Sequence, residues 1–343
     1  PMGGGGVGVW WGRSSMWPGR ELRSEAFGMF LIILIGEGSV AEVVLGGNGG
    51  ILSIHLGFAV AVAVAVMVCA PVSAHLNPAV SLAIFLNDRA FTFGRLLQLW
   101  AAQVVGAFLG AVAVLGLYWE ALEDYDAAAG VKHAVTGPNA TAQIFATYPA
   151  TYPGGRVPSL ATCVGSEVAG TALLVVGVFA LTDRARDPLE PAWLGFMVGQ
   201  LVFAVGVAMG WTTGYAINPA RDFGPRLLSA LAGWGTKVFT AHDHYFVVPL
   251  LAPLLGGAIG TLVYREMMGA VDEEDSPRPF DGNPVRVQHH RLSMESNLVP
   301  TVGGGDNGVG GGATRRYTRP ADPSNSPMAL LLRDSPPPTH INS

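Results

Sequence analysis

Apolar residues in this chain fall in long blocks instead of alternating with polar ones, and clusters of Gly, Pro, Asn and charge separate the blocks. Six blocks approach the ~20 residues that a helix needs to cross about 30 Å of hydrocarbon. They are residues 25–45, 51–72, 95–118, 160–182, 192–209 and 245–264. The pattern predicts six transmembrane helices. Gly46-Gly47-Asn48-Gly49-Gly50 predicts a tight turn after the first, residues 119–158 a long polar loop after the third, and 183–191 a short charged connection.

Two further apolar pieces, 77–86 and 218–231, are too short to span. Each opens on the same triplet, Asn77-Pro78-Ala79 and Asn218-Pro219-Ala220. Asn is a preferred N-cap, and Pro fits the first helical position because its missing N–H is unpaired there anyway. Each piece is therefore predicted to be a half-length helix that starts inside the membrane. Irregular backbone at that depth survives only when buried in protein or lining a wet cavity.

The two halves repeat. Ser24-Glu25-Ala26-Phe27-Gly28 is echoed by Ser166-Glu167-Val168-Ala169-Gly170, and Glu25 precedes Asn77 by 52 residues where Glu167 precedes Asn218 by 51. Three spans and one half-helix per half give an odd number of crossings, so the halves insert in opposite directions. The expected fold is an all-α membrane protein of six transmembrane helices plus two half-helices in an inverted repeat, with repeat one at about 24–118 and repeat two at about 160–264.

Composition narrows the class. Half of the 343 residues are hydrophobic and 13% are charged, against roughly 25% in soluble domains. Mean hydropathy is +0.39. Charge collects at the ends, and the net charge of −5 implies no nucleic-acid partner. Residues 1–23 and 270–343 are polar and low in complexity, which predicts disordered tails around a channel domain at 24–269. Cys69 and Cys163 sit in apolar segments and are expected to be free thiols. Arg89, Arg95, Arg184, Arg186 and the Arg residues flanking both ends fall on one side, which predicts cytoplasmic termini. The long loop then faces outward, and Asn139-Ala140-Thr141 becomes a reachable glycosylation sequon.

Two half-helix N-termini meeting near the midplane would each present about half a positive charge. That potential disfavours cations and hydronium, while Asn77 and Asn218 offer side-chain donors to a passing oxygen. Carbonyls of the unwound stretches 73–76 and 215–217 would supply acceptors along one wall. Glu25 and Glu167 have no neighbouring base or nucleophile, so they are expected to accept hydrogen bonds from the unwound backbone of their own half. No catalytic residue, metal site or cofactor is expected. His75, two residues before Asn77, is a candidate pH-sensitive group against the plainer reading of a packed histidine.

The sequence resembles the aquaporin family, and within it the glycerol-conducting branch, the aquaglyceroporins. The resemblance rests on "AHLNPAVSLA", "GPNATAQIFATYP", "YAINPARDFGPRLLSALAGWG" and "PLLGGAIGTLVYREMMG", and covers about 23–269. It implies a right-handed helical bundle, a homotetramer in the plasma membrane, and passive conduction of glycerol and water without ions or protons. It also implies a selectivity filter of Phe58, Gly206, Tyr215 and Arg221. A Gly that the family carries between Ser73 and Ala74 is missing here, which leaves Gly57 or Leu56 as alternatives to Phe58. Gly206 stands where water-selective members carry His, so it is expected to widen the opening. Asp222 is expected to neutralise Arg221 in part or to fix the outer loop. The alternatives are a water-selective channel, a non-conducting membrane scaffold, and an ion-coupled transporter, which lacks the expected ionisable pair at the turns.

Overall fold

The computed structural model describes residues 18–183 and 188–268. Arg184, Arg186 and nearly all of both predicted tails lie outside the described residues. The helices are α1 (Pro18–Gly46), α2 (Ile51–Cys69), α3 (Pro78–Asn87), α4 (Phe93–Ala129), α5 (Leu160–Thr182), α6 (Pro191–Thr213), α7 (Pro219–Ser229), α8 (Lys237–His244) and α9 (Val247–Met268). Six of them (α1, α2, α4, α5, α6 and α9) are long and apolar enough to cross a membrane.

Local chemistry sets the ends. The Thr92 hydroxyl accepts from Arg95 N at 3.3 Å to start α4, and Ser159 accepts from Thr162 N at 3.2 Å to start α5. Pro191 occupies the first position of α6. Gly130 (φ +66°) and Gly214 (φ +76°) close α4 and α6 in the left-handed conformation that glycine adopts without penalty.

Three boundaries differ from the hydropathy pattern. Residues 18–23, assigned to the tail, are the first turns of α1, and Glu21 there forms an ion pair with Arg95 at 2.9 Å. Residues 119–129, assigned to the long loop, continue α4. They are rich in Ala and Glu, which favour helix whether or not lipid surrounds them, so α4 outruns the bilayer at about 55 Å. The second half-helix ends at Ser229 and passes into a π turn at Ala230–Trp234 before the short α8.

Packing repeats the sequence symmetry. α1 packs on α4 and α2, α5 packs on α9 and α6, and α2 meets α6 between the halves. Each half-helix leans on the last span of the other half, α3 on α9 and α7 on α4. Small residues permit this approach. A Cβ at Gly106 would collide with the Ala26 carbonyl of α1, and one at Gly257 would lie 2.7 Å from the Ala79 carbonyl of α3. Large apolar side chains such as Leu52, Leu109, Trp193 and Leu262 are exposed on the bundle's outside, as a lipid-facing surface requires. Cys69 and Cys163 are buried and unbridged.

Candidate functional site

The two Asn-Pro-Ala turns meet. Asn77 caps α3 by accepting from Ala79 N at 2.8 Å, and Asn218 caps α7 by accepting from Ala220 N at 3.1 Å and Arg221 N at 3.3 Å. With each side-chain oxygen so occupied, each amide nitrogen points to the opposite half. Asn77 Nδ2 donates to Ile217 O at 2.8 Å, and Asn218 Nδ2 donates to Leu76 O at 2.8 Å. The crossed pair ties the halves at their centre. It also amends the expected row of acceptors, because the Leu76 and Ile217 carbonyls each receive an asparagine of the other half.

The unwound backbone before each turn is held by a buried carboxylate. Glu25 accepts from His75 N at 2.8 Å and Leu76 N at 2.7 Å, and Glu167 accepts from Ala216 N at 2.9 Å and Ile217 N at 2.7 Å. The register is equivalent in the two halves. Leu76 (φ +50°), Tyr215 (φ +40°) and Ile217 (φ +43°) are non-glycine residues in left-handed conformations, each costing about 1–3 kcal/mol. Two charge-assisted hydrogen bonds per carboxylate offset that strain and turn the chain toward the half-helix. Glu25 also receives Ser73 Oγ and Gln103 Nε2.

Beyond the turns, on the side into which α7 runs, Phe58, Tyr215 and Arg221 converge. The Arg221 guanidinium carbon lies 4.5 Å over the Phe58 ring, and Phe58 meets Tyr215 edge-to-face at 6.2 Å. Of the alternatives on α2, Gly57 abuts Ser39 and Leu56 faces outward, whereas Phe58 reaches Arg221. Gly206 sits beside this group, but it leaves no gap. A Cβ there would stand 2.9 Å from His55 Nδ1 and 3.0 Å from Tyr215 Cζ, so the two rings fill the room that the missing side chain vacates. The expectation of simple widening is corrected accordingly: glycine lets the Tyr215 and His55 rings pack closely against α6.

Asp222 anchors the loop between α4 and α5. Its Oδ2 accepts from Thr147 N at 2.8 Å and Thr147 Oγ1 at 2.7 Å, and its Oδ1 pairs with Arg226 at 2.7 Å. Arg226, buried with it, donates to the Thr147 and Val238 carbonyls, both at 2.7 Å. The direct ion partner of Asp222 is thus Arg226, and the partner of Arg221 is Glu37 at 3.6 Å. Tyr148 covers Arg226 with its ring, and burial pushes its phenol up to about 12, so it stays neutral. In the same loop Asn139 is half-buried, and Thr141 is buried and accepts from Trp234 Nε1 at 3.1 Å.

A cavity of about 550 Å³ runs through the centre. Its wall passes from Phe58, Tyr215 and Arg221, past Asn77 and Asn218, to His75, Asp88, Arg95 and Arg265. His75 Nδ1 lies 3.2 Å from Ser81 Oγ, and its ring stands edge-on to Phe91. Among the described residues no three His, Cys, Asp or Glu side chains group as metal ligands would. Three side chains escaped the linear reading: Glu37, His55 and Arg226. Arg226 had a signal, its i,i+4 spacing from Asp222 on a half-helix. Glu37 and His55 had only their polarity inside apolar blocks, where ionisable residues mark function by default.

Comparison with known proteins agrees with this geometry. The family model described as "Major intrinsic protein" matches residues 13–264. Human aquaporin-9 is 42% identical over 252 residues, covering 71% of this chain and 81% of its own length. Aquaglyceroporin-3 of Trypanosoma brucei brucei is 39% identical over 267 residues, covering 76% and 83%. The X-ray structure of the aquaglyceroporin from Plasmodium falciparum matches with a TM-score of 0.63 at 28% identity, over 73% of this chain and 97% of that one. With six spans, two crossed Asn-Pro-Ala turns and relatives matched over most of their length, this chain belongs to the major intrinsic protein family, in its aquaglyceroporin branch.

Proposed function

We propose that the protein is a passive transmembrane channel for glycerol and water that excludes ions and protons. The observation that carries the reading is the central cavity bounded by Asn77 and Asn218 and, at one end, by Phe58, Tyr215 and Arg221. Two aromatic rings form an apolar corner for the carbon chain of a polyol, while the Arg221 guanidinium faces its hydroxyls with a rigid fan of donors. Asn77 and Asn218 each spend one side-chain N–H on the opposite half and offer the second to the permeant at the midpoint. There the two half-helix N-termini raise a positive potential that hydronium and metal cations must climb. A neutral hydroxyl compound exchanges hydration for these groups at little net cost.

Glu25 and Glu167 hold the unwound carbonyls in place, and Asp222 holds the loop that bounds the filter. Both termini are cytoplasmic in this reading, so Arg221 guards the outer entrance and His75 the inner one. The protein works as a homotetramer of independent pores in the plasma membrane. Stopped-flow light scattering on proteoliposomes is the test. A sucrose gradient should give water flux, and a glycerol gradient fast reswelling, each well above empty vesicles. Water flux without glycerol flux would replace this reading by a water-selective channel, and neither by a scaffold.

A further inference from the structure

Beside the Arg221 guanidinium lies a carboxylate that the mechanism above leaves unused. Glu37, in the Gly36-Glu37-Gly38 stretch of α1, is fully buried. Neither of its oxygens has a hydrogen-bond partner among the described residues, and Oε1 stands 3.6 Å from Arg221 Nη1, which has none either. The preceding Gly36 is what brings α1 this close, since a Cβ there would strike the Phe58 ring over which Arg221 lies. The guanidinium is therefore held between an aromatic face from α2 and an anion from α1. Asp222 cannot take this place, being committed to Arg226 and Thr147. A carboxyl with no exposure inside a span stays ionised only beside an opposite charge, and Arg221 is the cation paired with it among the described residues.

We propose that Glu37 is a specificity-determining residue of the filter: it cancels the charge of Arg221 while leaving the guanidinium N–H groups free for a permeant hydroxyl. The separation matters, because at 3.6 Å the pair attracts electrostatically but forms no hydrogen bond. The constriction thus offers strong donors without a net positive charge, and small anions have no reason to lodge there. With Glu37 neutralised, Arg221 would stand bare in a low-dielectric neck and concentrate anions against the incoming polyol.

The inference rests on the channel reading, which wild-type glycerol flux above empty liposomes tests separately. The probe is glycerol flux in proteoliposomes with nitrate or the bulky gluconate as the anion, at equal ionic strength. Wild type should be indifferent to the exchange. Nitrate should slow Glu37→Gln by about tenfold, and Glu37→Asp, which keeps the charge, should recover indifference. An equal nitrate response in wild type and Glu37→Gln overturns the proposal. Thermal unfolding in detergent keeps the question decidable if Glu37→Gln conducts nothing. Removing both charges should harm less than stranding one, so Arg221→Val with Glu37→Gln should unfold at a higher temperature than Arg221→Val alone. A double variant that is no more stable than the single one also overturns it.

Discussion

Glu167→Gln changes one oxygen into an NH2 group and nothing in volume, yet it should undo the second half's pore wall. Glu167 is fully buried and receives Ala216 N on one oxygen and Ile217 N on the other. The glutamine has one oxygen left, so one backbone N–H must face an N–H. Losing a charge-assisted hydrogen bond costs about 1.5–3 kcal/mol, and the stranded N–H about 1–3 kcal/mol more. An amide is easier to bury than a carboxylate, which returns part of this. The net loss should be about 2–4 kcal/mol. It falls on a segment where Tyr215 and Ile217 already hold left-handed backbone. That strain should relax once its tether is cut, swinging Tyr215 out of the filter and the Ile217 carbonyl away from Asn77. Thermal unfolding in detergent should shift down by several degrees. Water and glycerol flux per folded channel should fall together, since the defect lies at the shared midpoint. Glu25→Gln should do the same in the first half, with Ser73 and Gln103 also losing a partner. A Glu167→Gln channel that melts and conducts like the wild type would refute the clamp.

Three other outcomes follow from distances already given. Gly206→His should cut glycerol flux far more than water flux, because the new ring can enter only by driving Tyr215 and His55 off their seats toward the lumen; equal glycerol flux would contradict the filter. Asp222→Ala should cost about 3–5 kcal/mol by stranding the buried Arg226 cation, and the thermal midpoint should recover in part when Arg226→Leu is added. Gly106→Leu should prevent assembly of a folded monomer, since no rotamer relieves a clash with the Ala26 backbone; monodisperse elution from size exclusion in detergent checks it.

Much of this architecture was legible along the chain. Run lengths told the spans from the half-helices, since a bilayer sets one length and each short run began with a capping Asn and a Pro. The paired Ser-Glu-x-x-Gly motifs at matched distances from those turns identified Glu25 and Glu167, and both accept from the unwound backbone N–H groups of their own half. The place of Phe58 stayed open along the chain, because one missing residue leaves a helical register undetermined; only packing against α1 and α7 brings its ring beneath Arg221. The extension of α4 over 119–129 was missed because polarity marks where lipid ends, and helix propensity does not stop there.

By itself, the order of residues determined the number of crossings, the inverted repeat and the two central asparagines. All of these depend on the solvent's thickness and on caps within a few positions. Only the tertiary structure decided which charge neutralises which. Asp222 adjoins Arg221 in the chain but bonds Arg226 and Thr147, while Arg221 meets Glu37 from a helix on the far side of the sequence. Neighbours along a helix diverge by about 100°, so the partner of a buried charge is set by whichever helix packs against its face.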